Sequence, residues 1–161
     1  MCDLYLRFAT FDDAKILYEW RTDEETQRHS FHTASFSFEH HLAWLCTVLK
    51  EPAQRLYIMM LDDKPIGQVR LSFNGDAASI SYSIAPLYRM QGYGMRILVL
   101  AENELIKTNP AIHFLMAEVK EENVASQRIF EKLHYDALQK NAVIYYQKAI
   151  REALINAVPQ T

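Results

Sequence analysis

Hydrophobic positions along the chain switch between a period of two and a period near 3.6, and the switches mark out its elements. Residues 4–8 alternate and predict a first strand. Thr10, Phe11, Asp12 and Asp13 then supply N-cap chemistry for a helix reaching about residue 19. The run 20–25 breaks this helix and restarts it as a short second one. Ser37 caps a third helix extending to about residue 49, with Phe38, Leu42, Leu45 and Leu49 on one face, and Pro52 ends it. Residues 56–61 and 66–73 read as a hairpin across Asp62-Asp63-Lys64-Pro65. Asn74-Gly75-Asp76 is a second turn signal. In the strand 78–85 that follows, Ile80, Tyr82 and Ile84 alternate with Ser79, Ser81 and Ser83. An amphipathic helix over 92–107, a strand over 112–119, a helix over 123–133 and closing strands over 135–138 and 142–147 complete the pattern.

The order β-α-α-α-β-β-β-α-β-α-β-β predicts an α+β fold built around one mixed sheet. No repeat, low-complexity tract or Pro/Gly/Ser-rich linker divides the chain, so one domain is expected over 1–161. Its core would cover about 4–148. The remainder, 149–161, has Ile150, Leu154 and Val158 at helical spacing, and reads as a helical tail docking on its own domain or on a partner chain, with a homodimer as one outcome.

Composition narrows the function. Half of the residues are apolar and 23% are charged, the balance of a soluble globular protein. A net charge of -3 provides no basic footprint for nucleic acid. No apolar run approaches the ~20 residues a membrane span needs, and the start, Met1-Cys2-Asp3-Leu4-Tyr5, lacks signal-peptide features. The expectation is a cytoplasmic protein with neither a membrane nor a nucleic-acid partner. Cys2 and Cys46 are too few and too far apart for a disulfide framework or a metal site. His40 and His41 point about 100° apart on a helix, so no metal is expected.

The most informative stretch is Ser83-Ile84-Ala85-Pro86-Leu87-Tyr88-Arg89-Met90-Gln91-Gly92-Tyr93-Gly94-Met95, where a strand runs out, a glycine-bearing turn follows and a helix begins. Glycines let backbone N–H groups approach a ligand without an intervening Cβ, and the helix start aims its dipole and unpaired donors at the same spot. The arrangement suits a pyrophosphate; it equally suits a βα turn that needs glycine for its own geometry. A dinucleotide fingerprint would require a third glycine and a βαβ repeat, and a Walker A loop would require Gly-Lys-Ser/Thr.

The segment Arg89-Met90-Gln91-Gly92-Tyr93-Gly94 resembles the signature Q/R-x-x-G-x-G/A of the GNAT acyltransferases. Beyond the next strand, Asn123-Val124-Ala125-Ser126-Gln127-Arg128-Ile129-Phe130-Glu131-Lys132-Leu133-His134-Tyr135 resembles that family's N-x-x-A/S-x-x-x-Y/F-x-K-x-G-F. The resemblance covers about 4–148. It implies a three-layer fold with a mixed, mostly antiparallel sheet of about six or seven strands flanked by helices, and acetyl-CoA as cosubstrate. It further implies that the amides of residues 89–95 bind the coenzyme A pyrophosphate, while Asn123, Ser126, Phe130 and Lys132 lie along the pantetheine and thioester. Residues 123–133 also read simply as a capped helix packing Ala125, Ile129, Phe130 and Leu133. Two departures stand out: His134 replaces the usual glycine, and Phe130 replaces the tyrosine often assigned as general acid. Phenylalanine cannot protonate a thiolate, which leaves that task to water or another hydroxyl such as Tyr135.

The implied reaction is direct attack of an amine on the thioester. A base must first take the amine's proton, help that typically contributes ~10²–10⁴-fold. Glu118 is the candidate: it ends a strand five positions before Asn123, resembling the glutamate of ribosomal-protein N-terminal acetyltransferases. The alternative is an exposed strand glutamate paired with Lys120 or another surface lysine. A backbone N–H at the Ser83-Ile84 strand end would meet the oxyanion, and that strand would pair with pantetheine amides. Ser81 and Ser83 could hold a water or simply form a polar face.

For the acceptor, residues 18–31 resemble the ribosomal-protein acetyltransferase-like branch, and still more the nucleotide-amino-sugar N-acetyltransferases of pseudaminic acid and flagellin-glycan synthesis. That implies a 4-amino sugar on UDP, with Trp20 and Phe31 stacking on it and Arg21, Arg28 and His29 meeting the diphosphate. Trp20 reads equally as a core residue, and Arg70 as a brace paired with Asp23 or Glu24. Peptide N-termini and other small amines remain open as acceptors. So does a role of another class, a non-catalytic acyl-CoA sensor, motivated by Phe130.

Overall fold

A computed structural model describes residues 2–31 and 36–151. Its strands are β1 (Leu4–Phe8), β2 (Gln54–Leu61), β3 (Lys64–Asn74), β4 (Ala77–Ile84), β5 (Phe114–Lys120), β6 (Asp136–Lys140) and β7 (Val143–Ala149). The helices are α1 (Ala14–Thr22), α2 (Glu24–His29), α3 (Phe38–Lys50), α4 (Tyr93–Thr108) and α5 (Val124–Lys132). The seven strands form one sheet in the order β1-β2-β3-β4-β5-β7-β6. Every neighbouring pair is antiparallel except β4 and β5.

Helices cover both faces, giving the three-layer α+β arrangement expected. On one face Val69, Leu71, Ala78 and Ile80 pack with Ile97, Leu98, Ala101 and Leu105 of α4 and with Phe130 of α5. On the other, Leu56, Ile58 and Met60 pack with Leu17, Trp20, Leu45 and Val48 of α1 and α3. Strand β2 is apolar at almost every position because Tyr57 and Met59 join the first cluster while Leu56, Ile58 and Met60 join the second. Local caps agree with this packing: Asp23, Ser37 and Asn123 accept from the amides of Thr26, His40 and Ser126 at the starts of α2, α3 and α5.

The β4–β5 pairing positions the site. It involves only Ala77, Ala78 and Ser79 against Phe114, Leu115 and Met116. Beyond that point β4 continues to Ile84 and β5 to Lys120 without pairing to each other. At about 3.3 Å per residue this leaves a cleft roughly 15 Å long, along which the facing edges of β4 and β5 have no ladder partner among the described residues.

Among the boundaries that differ from the sequence reading, two have a clear cause. The expected strand at 112 begins at Phe114, because the Ile112 N–H is used in a turn onto the Asn109 carbonyl. The expected tail helix does not begin at 149: Ala149 ends β7, paired with Phe114. Next, the Ile150 N–H bonds the His113 carbonyl, and the Arg151 guanidinium donates to the carbonyls of Leu105, Ile106, Asn109 and Ile112. Arg151 thereby caps the C-terminal end of α4; Leu154 and Val158 lie outside the described residues. Among the described residues no helix is long and apolar enough to cross a membrane.

Candidate active site

The glycine turn lies at the start of α4. Gly92 is the N-cap with φ 84°, a left-handed conformation that L side chains resist, and space around its missing Cβ is open. Gly94 serves close packing instead: a Cβ there would stand 2.8 Å from Ile129 Cδ1 and 3.5 Å from Tyr82 Cε2. The Arg96 N–H closes the first turn onto the Gly92 carbonyl at 3.4 Å, so the preceding amides have no partner within the helix. Met90 and Gln91 are exposed, Tyr93 and Met95 half-buried. Arg89 is committed elsewhere. Its guanidinium binds Asp23 at 2.6 Å, Glu25 at 2.9 Å and Thr26 at 3.0 Å, tying the turn to the start of α2. This bond lowers the Asp23 carboxyl against the opposing effect of its burial, the larger single influence.

On the α4–α5 side of the cleft, the Tyr82 hydroxyl meets Ser126 Oγ at 2.9 Å. Burial raises the Tyr82 phenol and the Ser126 bond partly offsets this. Asn123 spends its side-chain oxygen on the Ser126 amide at 3.2 Å. Phe130 is 1% exposed, with its ring against Tyr82, Tyr135 and Tyr146. Lys132 is exposed in the last turn of α5. The Tyr135 hydroxyl is buried without a hydrogen-bond partner among the described residues, and burial followed by the Glu102 charge holds it well above the usual phenol value. Tyr135 is thus a core residue, and Tyr82 is the aromatic hydroxyl beside Ser126.

The other side of the cleft presents Glu118, which is exposed on β5 opposite Tyr145 of β7. The alternative pairing of Glu118 with Lys120 is not seen among the described residues: Lys120 Nζ donates to the Arg28 carbonyl at 3.1 Å and lies 5.8 Å from the Phe31 ring centre. On β4, Ser83 Oγ accepts from Gln68 Nε2 at 3.0 Å, and Ile84 is buried at the strand end.

The acceptor residues separate. Trp20 is 6% exposed and belongs to the core between the sheet and α1 and α3, so it offers no stacking surface. Arg28 is exposed and His29 half-buried. Phe31 lines a cavity of about 660 Å³ together with Lys120, Glu121, Glu122, Ala142 and Val143. Arg21 stacks on Phe36 and Trp44, and Arg70 approaches the same Trp44 instead of Asp23 or Glu24. The sequence reading missed Trp44, Arg70 and Tyr82.

A family model described as an acetyltransferase (GNAT) domain matches residues 3–136. The chain belongs to the GNAT acetyltransferase family. Solved structures share the GNAT fold at low identity. A spermidine N-acetyltransferase from Vibrio cholerae, in complex with CoA and spermine, has a TM-score of 0.82 at 17% identity over 91% of this chain and 95% of its own. RimL, a ribosomal-protein alpha-N-acetyltransferase in complex with coenzyme A, has a TM-score of 0.78 at 15% identity over 91% and 93%. The aminoglycoside acetyltransferase AAC(6')-Ib, in complex with paromomycin and acetyl-CoA, has a TM-score of 0.76 at 20% identity over 91% and 93%. No curated protein sequence matches this GNAT chain. The GNAT assignment makes it an N-acetyltransferase that uses acetyl-CoA on an amine.

Proposed function

We propose that this single acyl-CoA transferase domain acetylates the free amine of a nucleotide-linked 4-amino sugar by direct attack on acetyl-CoA. The carrying observation is the split between β4 and β5, which leads from the Gly92 turn to a cleft with the Glu118 carboxylate, unpaired among the described residues, on one side and a hydroxyl pair on the other. Backbone amides of the turn from Arg89 to Met95 hold the pyrophosphate, and the free edge of β4 pairs with pantetheine. Glu118 takes the proton of the attacking amine, directly or through water. As nitrogen bonds the carbonyl carbon, the oxyanion is met by a backbone N–H near Ile84. The C–S bond then breaks, and the departing thiolate takes a proton from the Tyr82–Ser126 pair, whose hydroxyls lie beside the aromatic position that Phe130 leaves without one.

The sugar reading draws on the resemblance of residues 18–31 and on cationic Arg21 and aromatic Phe31 at the acceptor side. The ligand-bound neighbours support a wider set of amines, since RimL is named for a ribosomal protein and the other two were captured with spermine and paromomycin. Thiol release from acetyl-CoA, measured against UDP-linked 4-amino sugars, Ser- or Ala-starting peptides, polyamines and aminoglycosides, decides among them. Glu118→Gln should lower kcat on the accepted amine by ~10²-fold or more while leaving acetyl-CoA affinity intact. Tight acetyl-CoA binding with no turnover across the panel would instead favour an acyl-CoA sensor.

A further inference from the structure

Two arginines converge on one indole on the face of the sheet that α1 and α3 cover. The Arg21 guanidinium carbon of α1 lies 4.1 Å from the Phe36 ring centre and 4.4 Å from that of Trp44. Arg70 leaves β3 toward the same side and reaches 5.6 Å from the Trp44 ring. Among the described residues neither guanidinium makes a hydrogen bond or meets a carboxylate. The acids that the sequence offered to Arg70 are Asp23 and Glu24: Asp23 binds Arg89 instead, and Glu24 makes no ion pair among the described residues. The stretch 32–35 contributes no acidic residue.

Such a pair is costly when left alone. Both side chains are half-buried, and the burial lowers each guanidinium, with Arg70 pressing Arg21 further down. They remain charged, since arginine does not deprotonate at physiological pH. Stacking on Trp44 and Phe36 stabilises the charge but satisfies no N–H donor. A planar or tetrahedral oxyanion would satisfy these donors bidentately and cancel the mutual repulsion. In the β3–β4 register Arg70 stands directly across from Ser81, on the strand that borders the open cleft. The Arg70 backbone therefore stands one strand spacing, roughly 5 Å, from the cleft edge.

We propose that Arg21 and Arg70, stacked on Trp44, form an anion subsite for a carboxylate or phosphate carried by the amine acceptor. Naming the ligand as the acceptor rests on the acetyl-transfer reading above; the subsite itself does not. Two unpaired arginines repel polycations such as spermine and paromomycin, so the subsite selects against that class of acceptor.

The test uses the full chain saturated with coenzyme A, so that the pyrophosphate site at the Gly92 turn is filled. UDP and succinate are titrated separately by calorimetry. At least one should bind, and Arg21→Gln and Arg70→Gln should each weaken it tenfold or more, with Arg70→Lys recovering part of the loss. Stronger UDP binding identifies phosphate as the anion, and stronger succinate binding identifies carboxylate. Failure of both probes to bind, or equal binding to wild type and both glutamine variants, overturns the subsite. Failure of coenzyme A to bind would count against the acetyltransferase reading instead, and the same titrations on the free protein would still decide the anion subsite. Melting curves confirm that each variant is folded.

Discussion

Replacing Gly92 by alanine isolates the conformational demand of the coenzyme A turn. The residue has φ 84° and ψ 3°, and no atom lies within 4 Å of where its Cβ would be. A methyl group therefore meets no steric obstacle beyond its own backbone, and the cost is that of an L residue held left-handed, about 1–2 kcal/mol. That cost can appear in two places. If packing holds the turn, the folded state loses the full amount and Tm falls by roughly 3–6 °C for a chain of this size. If the turn relaxes to negative φ, stability is spared, but the amides after Gly92 swing away from the pyrophosphate. Acetyl-CoA affinity then falls about tenfold for each 1.4 kcal/mol. Thermal melts with and without acetyl-CoA, paired with calorimetry, measure both, and the two losses together should amount to about 1–2 kcal/mol. Gly94→Ala behaves differently, because its Cβ meets the movable tip of Ile129 at 2.8 Å and should displace that tip rather than strain the backbone. Gly92→Ala with Tm unchanged within about 1 °C and acetyl-CoA affinity within about twofold would refute the reasoning.

Tyr82→Phe and Ser126→Ala should each lower kcat about tenfold or more at unchanged acetyl-CoA affinity if their hydroxyls protonate the thiolate; an unaltered kcat in stopped-flow thiol release returns that proton to water. His134 holds φ 65° directly after α5, so His134→Gly should stabilise the protein by about 1 kcal/mol in urea melts. Asp13 accepts from both Arg7 nitrogens at 2.8 Å and from the Thr10 amide. The Arg7 bond is the largest influence, and it holds the Asp13 carboxyl below its ordinary 3.8. A depressed carboxyl contributes stability that is complete above its unfolded value and lost as pH falls through the lower folded one. Asp13→Asn should therefore cost about 2 kcal/mol at pH 7 and flatten the loss of stability below about pH 4, as read by melts across that range.

The element order was legible because each helix and strand buries a face whose period the sequence repeats. Strand β2, apolar almost throughout, is the instructive case: its run reads as a strand buried on two sides, and helices do cover both faces there. Boundaries depend on partners far away in sequence, which periodicity does not carry. Ala149 looks as much like the start of a helix as the end of a strand until Phe114 is seen beside it. His134 was visible as a departure from glycine, and its left-handed backbone is what such a departure entails.

The site divides along the same line. Features that depend on backbone were readable: the left-handed Gly92, the Asn123 cap, the strand end that leads into α4. Side-chain partnerships were not. Arg70, read from sequence as a brace against Asp23 or Glu24, lies over Trp44, while the Arg89 guanidinium, beside the turn whose backbone amides the sequence assigned to coenzyme A, holds Asp23 and Glu25. Nothing local distinguishes these arginines, because the choice is made by how α2 docks beside the Gly92 turn. The tryptophans are another matter. Ala14, Leu17 and Trp20 are the buried positions of α1, and their spacing of three already fixes the inward stripe. Arg21, one position on, must then turn about 100° away, toward the acceptor side. In α3 the buried positions are His41, Leu45 and Val48, leaving Trp44 at the stripe's margin and half-exposed. The observed register of α1 therefore puts Trp20 in the core, and that of α3 leaves Trp44 at the margin of its buried face, where Arg21 meets it.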